Sequence, residues 1–248
     1  MAEEYVRINK YLSQCGVCSR RQADRMLDEG RVAINGVTAD KGARVGEGDR
    51  VAVDGREVKR EQEEILIAYH KPAGVVCTMS GKEKNNIIDA VGFSKRIYPV
   101  GRLDKDSTGL ILLTNQGELM DRILRGRNYH EKEYDVVVDK PIRKEILDAM
   151  RQGVPILDTM TRPCQIKQMG EREFRIILTQ GLNRQIRRMC EYFGYRVCRL
   201  KRIRIMNIEL GDLREGSWRY LTTQELDRLK EMCFVCTERG DGHESIDY

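Results

Sequence analysis

The sequence specifies an α+β protein in two parts: a small αα–β unit, then a larger domain whose mixed, largely antiparallel sheet is flanked by helices. Three observations carry that expectation. Residues 5–55 hold two short helical stripes followed by alternating strands. Lys59-Arg-Glu-Gln-Glu-Glu64 is a charged, apolar-poor break, and from Ile65 onward strands and helices mix without a regular βαβ beat. A length of 248 residues suits two unequal domains and a core that needs no staples. With 33% charged and 40% apolar residues, the chain reads as neither disordered nor membrane-embedded, and no apolar run approaches the roughly 20 residues that span a bilayer. The opening Met-Ala-Glu-Glu-Tyr lacks the basic start and apolar stretch of a secretory signal, so a cytoplasmic location is expected.

Along the first part, Ile8, Tyr11, Leu12 and Cys15 fall at i, i+3, i+4 and i+7 on one helical stripe that Gly16 closes. Ser19-x-x-Gln22 is a capping box for a second helix, with Ala23, Met26 and Leu27 inward, Gly30 at its end, and Arg20, Arg21 and Arg25 near its start and outer face. Val32 and Ile34 alternate into Asn35-Gly36, a strong hairpin signal, and Val51 and Val53 form a strand ending at Asp54-Gly55. In the second part, strands are expected at Ile65–Tyr69, Leu110–Thr114, Tyr134–Val138, Phe174–Thr179 and Ile203–Leu210. Helices are expected near Glu118–Leu124, Arg143–Gln152 and Arg184–Phe193. In the last of these, Ile186, Met189, Cys190 and Phe193 make the apolar face, and Arg184, Arg187, Arg188 and Glu191 lie opposite. The domain boundaries that follow are 1–59, a linker over 60–64, and 65–236, with a Gly- and acid-rich tail over 237–248 expected to be disordered.

The net charge of +5 is mild, but Gly181–Arg204 holds eight Lys or Arg and one Glu. Such a stretch suggests a polyanionic partner, although a solvated helix face would look the same. Eight Cys include the pairs Cys15/Cys18 and Cys233/Cys236, which stand more than two hundred residues apart, unlike the close knuckles of a zinc ribbon. None of the three His has zincin spacing, and phosphate-cradling Gly patterns are absent. No metal and no small-molecule cofactor are therefore expected, and a monomer is the default.

The densest signal is Gly101-Arg-Leu-Asp104-Lys-Asp106-Ser-Thr-Gly109, just before the Leu110–Thr114 strand. One reading is a turn in which Asp106 or Ser107 binds nearby backbone. A second is phosphoryl transfer, since Asp104-x-Asp106 has the spacing of haloacid-dehalogenase-type phosphatases. That motif should leave a strongly apolar strand, whereas Pro99, Gly101 and Arg102 precede it here. A third is a lone carboxylate acting on a nucleoside.

Two family resemblances bear on that choice. Val6-Arg-Ile-Asn-Lys-Tyr-Leu, Ser19-Arg-Arg-Gln-Ala-Asp and Gly30-Arg-Val-Ala-Ile-Asn-Gly resemble an S4 RNA-binding domain. That resemblance implies that Arg20, Arg21 and Arg25 grip structured RNA. Gly-Arg-Leu-Asp104 with Asp-Ser-Thr-Gly-Leu-Ile-Leu-Leu-Thr-Asn resembles the central motif of RsuA-type pseudouridine synthases. Lys71-Pro72-Ala73-Gly74, Lys132-Glu-Tyr134 and Thr179-Gln-Gly-Leu-Asn-Arg-Gln-Ile-Arg-Arg-Met189 are similar to its companion motifs, in the same order. The run from Gly181 to Tyr195 and the later Arg-Ile-Met-Asn resemble the RluF group, which acts on large-subunit ribosomal RNA.

The second resemblance implies a uridine isomerase with Asp104 as its reacting carboxylate, Arg187 as its counter-cation and Tyr134 stacked on the target uracil. It also implies that Arg102 fills the vacated stack, that Lys71 shapes the cleft as one of the RNA-binding residues, and that Arg184 and Arg188 contact RNA. Ribosomal RNA is the expected partner, with transfer RNA a further candidate and no membrane. The rival from another class is a non-catalytic S4-type RNA-binding or ribosome-assembly protein.

Overall fold

The computed structural model describes residues 5–59, 63–125 and 129–234; the expected tail, Cys236 and most of the expected linker fall outside them. The chain divides into two compact units. One comprises Met1–Ile65, Ser94–Arg96 and Asn115–Gly117, and the other Leu66–Phe93, Ile97–Thr114 and Glu118–Tyr248.

The first unit runs β1 (Val6–Arg7), α1 (Ile8–Gln14), α2 (Arg20–Asp28), β2 (Val32–Ile34), β3 (Val37–Thr38), β4 (Arg44–Val45), β5 (Val51–Val53) and β6 (Arg56–Val58). The capping box forms in full at α2: Gln22 N donates to Ser19 Oγ at 3.2 Å, and Ser19 N donates to Gln22 Oε1 at 3.1 Å. Asn35 and Gly36 both take positive φ, 51° and 83°, as do Asp54 and Gly55 at 49° and 75°. Paired left-handed residues match the twist of the flanking strands, so β2–β3 and β5–β6 close as tight hairpins. Ile8, Leu12, Ala23, Leu27, Val32 and Val51 form the core.

The second unit continues β7 (Leu66–Lys71), α3 (Ile87–Val91), β8 (Tyr98–Val100), β9 (Thr108–Thr114), α4 (Gly117–Leu124), β10 (Lys132–Val138) and α5 (Lys144–Gln152). It then runs β11 (Pro155–Ile156), β12 (Thr159–Met160), β13 (Gln165–Gln168), β14 (Glu173–Leu178), α6 (Gln185–Tyr192), β15 (Val197–Ile205), β16 (Ile208–Glu209), β17 (Trp218–Tyr220) and α7 (Thr223–Phe234). A nine-stranded sheet has the path β13-β14-β10-β15-β9-β7-β17, with β16 on β15 and β8 on β9. Among the described strand pairings of this sheet, β15–β9 alone is parallel. The expected α+β architecture with a largely antiparallel sheet is the one found.

One apolar cluster gathers Val136, Phe174, Ile176 and Leu200 from the sheet with Leu147 and Met150 of α5 and Met189 and Cys190 of α6. A second joins Ala68, Leu110 and Leu112 to Leu119 and Ile123 of α4 and Leu229 of α7.

Two expectations about elements need correction. Ile203–Leu210 is not one strand: the chain turns at Met206, whose φ is 52°, and returns as β16. β15 instead begins six residues earlier than expected, at Val197. α7 was not expected at all, although Thr222 and Glu225 form a capping box at its start, with Glu225 N donating to Thr222 Oγ1 at 3.2 Å and Thr222 N donating to Glu225 Oε2 at 2.8 Å.

Candidate active site

Asp104 sits in the turn that feeds β9. Ser107 N donates to the Asp104 carbonyl at 3.1 Å, and Lys105 O accepts from Gly74 N at 2.8 Å, which stitches this turn to the Lys71–Gly74 turn. Lys71 is completely buried, and its Nζ donates to the carbonyls of Pro72 and Val75 at 2.8 Å and of Lys105 at 3.3 Å. All three ammonium donors are thereby spent on backbone, and burial pushes the group below the usual lysine range. Lys71 is therefore an internal clamp on the Asp104 turn and not the RNA contact expected of it.

Helix α6 supplies the cations. Arg184, at its N-cap, has a left-handed backbone (φ 50°, ψ 35°), a conformation sparsely populated outside glycine. Its Nη1 lies 3.5 Å from Asp104 Oδ2. Arg187 is buried, its Nη1 donating to Val197 O at 3.2 Å and its Nη2 to Ser107 Oγ at 3.4 Å. Its Nε stands 3.7 Å from Asp104 Oδ2, close enough to act through charge but too far for a hydrogen bond.

Arg187, expected beside Asp104, lies on the side of the helix opposite the apolar stripe, and the Asp104 turn covers it there. Arg184, expected to hold RNA, faces the carboxylate as well. Neither contact is short, so among the described residues the Asp104 oxygens keep lone pairs for chemistry. Two guanidinium groups beside Asp104 also put positive charge where a phosphatase site needs a divalent ion.

The far wall of the site is sheet. Tyr134 and Arg202 face one another directly across β10 and β15, and Lys132 lies two residues before Tyr134 on the same face. The pairing slips between Glu133 and Tyr134, leaving Ile203 unmatched: Glu133 faces Arg204, and Tyr134 faces Arg202. That bulge sends two arginines spaced i, i+2 to opposite faces. Arg204 pairs with Glu133 at 2.6 Å on the outer face, beside Arg175 and Asp135 at 2.7 Å.

Arg202 is buried on the inner face, with its guanidinium carbon 6.0 Å from the Tyr134 ring centroid and its Nε donating to Leu110 O at 2.7 Å. Gly109, opposite Arg202 in the parallel pairing, has φ +105°, and a Cβ there would fall 2.2 Å from Arg202 O. Only glycine lets β9 come this close to β15.

These walls enclose a cavity of about 660 Å³ lined by Asp104, Tyr134, Lys132, Arg202, Leu200 and the Thr179–Ile186 segment. Burial, with Arg202 adding to it, pushes the Lys132 ammonium down to about 8. Arg102 is exposed and lines the same cavity. Arg188 folds back on its own loop, its Nε donating to Asn183 O at 3.1 Å. In the first unit, Arg20, Arg21 and Arg25 are exposed on α2, and Arg20 shares a surface hollow with Arg7, Lys10 and Arg44. The sequence reading brought Asp104, Tyr134 and Arg187 forward but gave Lys132 and Arg202 no role. Their signal was two basic residues on strands that are otherwise apolar on the inner face. No group of three or more His, Cys, Asp or Glu able to hold a metal occurs among the described residues, and none of their helices is long and apolar enough to cross a membrane.

Residues 65–192 match the RNA pseudouridylate synthase family, and residues 6–51 match the S4 domain. The dual-specificity RNA pseudouridine synthase RluF of Salmonella typhi is 54% identical over 228 residues, covering 91% of this chain and 79% of that protein. Its namesake from Escherichia coli (strain K12) is 53% identical with the same coverage. Ribosomal large subunit pseudouridine synthase B of Bacillus subtilis (strain 168) is 33% identical over 91% of this chain and 96% of that one. A pseudouridylate synthase of known crystal structure, 25% identical, superposes with a TM-score of 0.67 over 90% of this chain and 99% of its own. With its S4 domain, its sheet and the cavity beside Asp104, the chain belongs to the RNA pseudouridylate synthases, as an RluF-like member.

Proposed function

We propose that this enzyme converts a specific uridine of ribosomal RNA, in the large subunit, to pseudouridine, with Asp104 as the reacting carboxylate. Activity as an RNA pseudouridine synthase follows from its family. The name of the Bacillus relative supports the choice of large-subunit RNA, and the dual specificity in the RluF names makes a second substrate, such as transfer RNA, the natural one to test. A cytoplasmic site of action goes with that substrate. The division into an S4 domain over 1–59 and a synthase domain over 65–236 belongs to the same reading, with Arg20, Arg21 and Arg25 holding RNA from the first domain.

The chemistry sets the requirements. The C1′–N1 bond of uridine breaks, the base turns, C5 bonds to C1′, and the C5 proton leaves while N1 gains one. No redox change and no transferred phosphate are involved, so one carboxylate suffices, either bonding C1′ or taking the 2′ proton and returning it. Asp104 faces the cavity for either task, and Arg184 and Arg187 offset its charge from behind. Tyr134 offers a ring for the everted base, and stacking of about 1–3 kcal/mol per base is comparable with the few kcal/mol spent on unstacking a nucleotide. The observation that carries the reading is one cavity lined by both Asp104 and Tyr134, with Arg187 fixed behind the carboxylate.

The test is to map carbodiimide-resistant adducts across total RNA from a strain lacking this chain. One large-subunit uridine should lose its pseudouridine signal and regain it when the gene is restored. An unchanged map would contradict the proposal.

A further inference from the structure

We propose that Lys132 and Arg202 form a cationic subsite for the uracil base, stabilising the negative charge that the base acquires when its bond to ribose breaks. The inference rests on the synthase reading and adds the group that receives the leaving base.

Both side chains are delivered to the inner face by the sheet itself. Lys132 shares the face of Tyr134, and the bulge at Ile203 turns Arg202 inward beside the same ring. Their charges lack a counter-ion. The carboxylates on adjacent positions of β10, Glu133 and Asp135, point to the other face and are held there by Arg204 and Arg175. Asp104 is faced by Arg184 and Arg187. Lys132 Nζ donates to His130 O at 3.3 Å, and Arg202 Nη2 is buried with no hydrogen-bond partner. Among the described residues neither cation forms an ion pair.

A buried guanidinium and a half-buried ammonium of like charge, with donors to spare, are costly unless an anion completes the site. Their mutual effect is visible in Lys132, whose ammonium is destabilised by burial and by Arg202 together.

The identity of the anion follows from position. A phosphate group can stay at the mouth, where Arg102 is exposed. The ring of Tyr134 is the surface on which a flat base lies, and a base stacked there carries its carbonyl edge to Lys132 and Arg202. When C1′–N1 cleaves, the electron pair stays with the base and spreads over N1, O2 and O4. Preorganised donors aimed at developing oxyanion charge in a site closed to water act on the transition state more than on the bound substrate. Once C5 has bonded to C1′ and lost its proton, N1 is protonated, the base is neutral again, and its hold on the subsite weakens. No reactant beyond uridine enters the balance.

Lys132→Met and Lys132→Arg test this with excess enzyme in a single turnover. The substrate is a large-subunit RNA transcript on which the unmodified enzyme is active, made with uridine or with 5-fluorouridine. Fluorine at C5 makes the detached base a more stable anion, so it needs less help. On uridine RNA, K132M should lower the rate at which the target nucleotide is consumed by about 10²-fold, the scale of losing one oxyanion donor. RNA affinity and melting temperature should stay close to those of the unmodified enzyme, K132R should recover part of the rate, and the defect should shrink on 5-fluorouridine RNA. An equal loss on both RNAs would mean that Lys132 only shapes the pocket. Weaker RNA binding with an unchanged single-turnover rate would mean a phosphate contact, and either result, or full activity, overturns the proposal. If the unmodified enzyme makes no pseudouridine in any RNA, the functional reading itself fails instead.

Discussion

Gly109 is where one hydrogen atom decides the geometry of the site. It joins the Asp104 turn to β9 and lets that strand meet the backbone of Arg202, with φ in a region closed to side chains. Gly109→Ala should push β9 off β15, destabilising the protein by about 3 kcal/mol or more, in the range of severe single-site effects, and displacing Asp104 from its cations. Chemical denaturation of the purified variant checks this, and unchanged stability would mean that β9 tolerates the shift. At this scale the sequence singled out Asp104 most readily, because polar side chains able to take part in chemistry concentrate in one short run of Asp, Ser, Thr and Gly. It was least informative for Lys71 and Arg202. A lysine that donates only to backbone carbonyls and one that contacts RNA look alike in a sequence, and no spacing rule reports that a bulge has turned Arg202 inward.

Elements were legible wherever a local signal sets them. Asn35-Gly36, Asp54-Gly55 and Ser19-x-x-Gln22 specify turns and a cap through their own backbone preferences, and each forms as expected. Ser19→Ala removes the Oγ that accepts from Gln22 N and should weaken α2 by about 1 kcal/mol. Hydrogen exchange in the full chain would read this as amides of α2 exchanging several-fold faster, with those of α6 unaffected. Uniform protection would show that tertiary packing, and not the cap, holds the helix.

β15 was obscured for the opposite reason. Its pairing with β10 slips twice, between Glu133 and Tyr134 and between Val137 and Val138, so the two-residue alternation that announces a strand is broken along its length. Those slips follow from contacts with a partner strand some sixty residues away in sequence, which no local window contains. The helix stripe of α6 was read correctly for Ile186, Met189 and Cys190, yet its other side proved to be covered at Arg187 by the Asp104 turn.

On the scale of the whole molecule, residues 71 to 202 supply one site through long-range pairing. β10 brings Lys132 and Tyr134, β15 brings Arg202, α6 brings Arg184 and Arg187, and the turn before β9 brings Asp104. Motif order along the chain told which segments would matter, but only the sheet order explains why they meet. The proposed function divides the labour at this scale. It assigns contacts to phosphates to exposed basic residues on the first unit and at the cavity mouth, and the reaction to a single carboxylate within the second unit.

Asp104→Asn separates the two functions, since it keeps the volume and removes only the negative charge. The decisive measurement is pseudouridine formation by D104N at the enzyme's own target uridine, alongside its affinity for the same RNA. Binding within about twofold of the unmodified enzyme with no detectable product is the expected result, because the proposal assigns positioning of the RNA to phosphate contacts and the chemistry to the carboxylate. Pseudouridine made by D104N at that uridine would contradict the role assigned to Asp104.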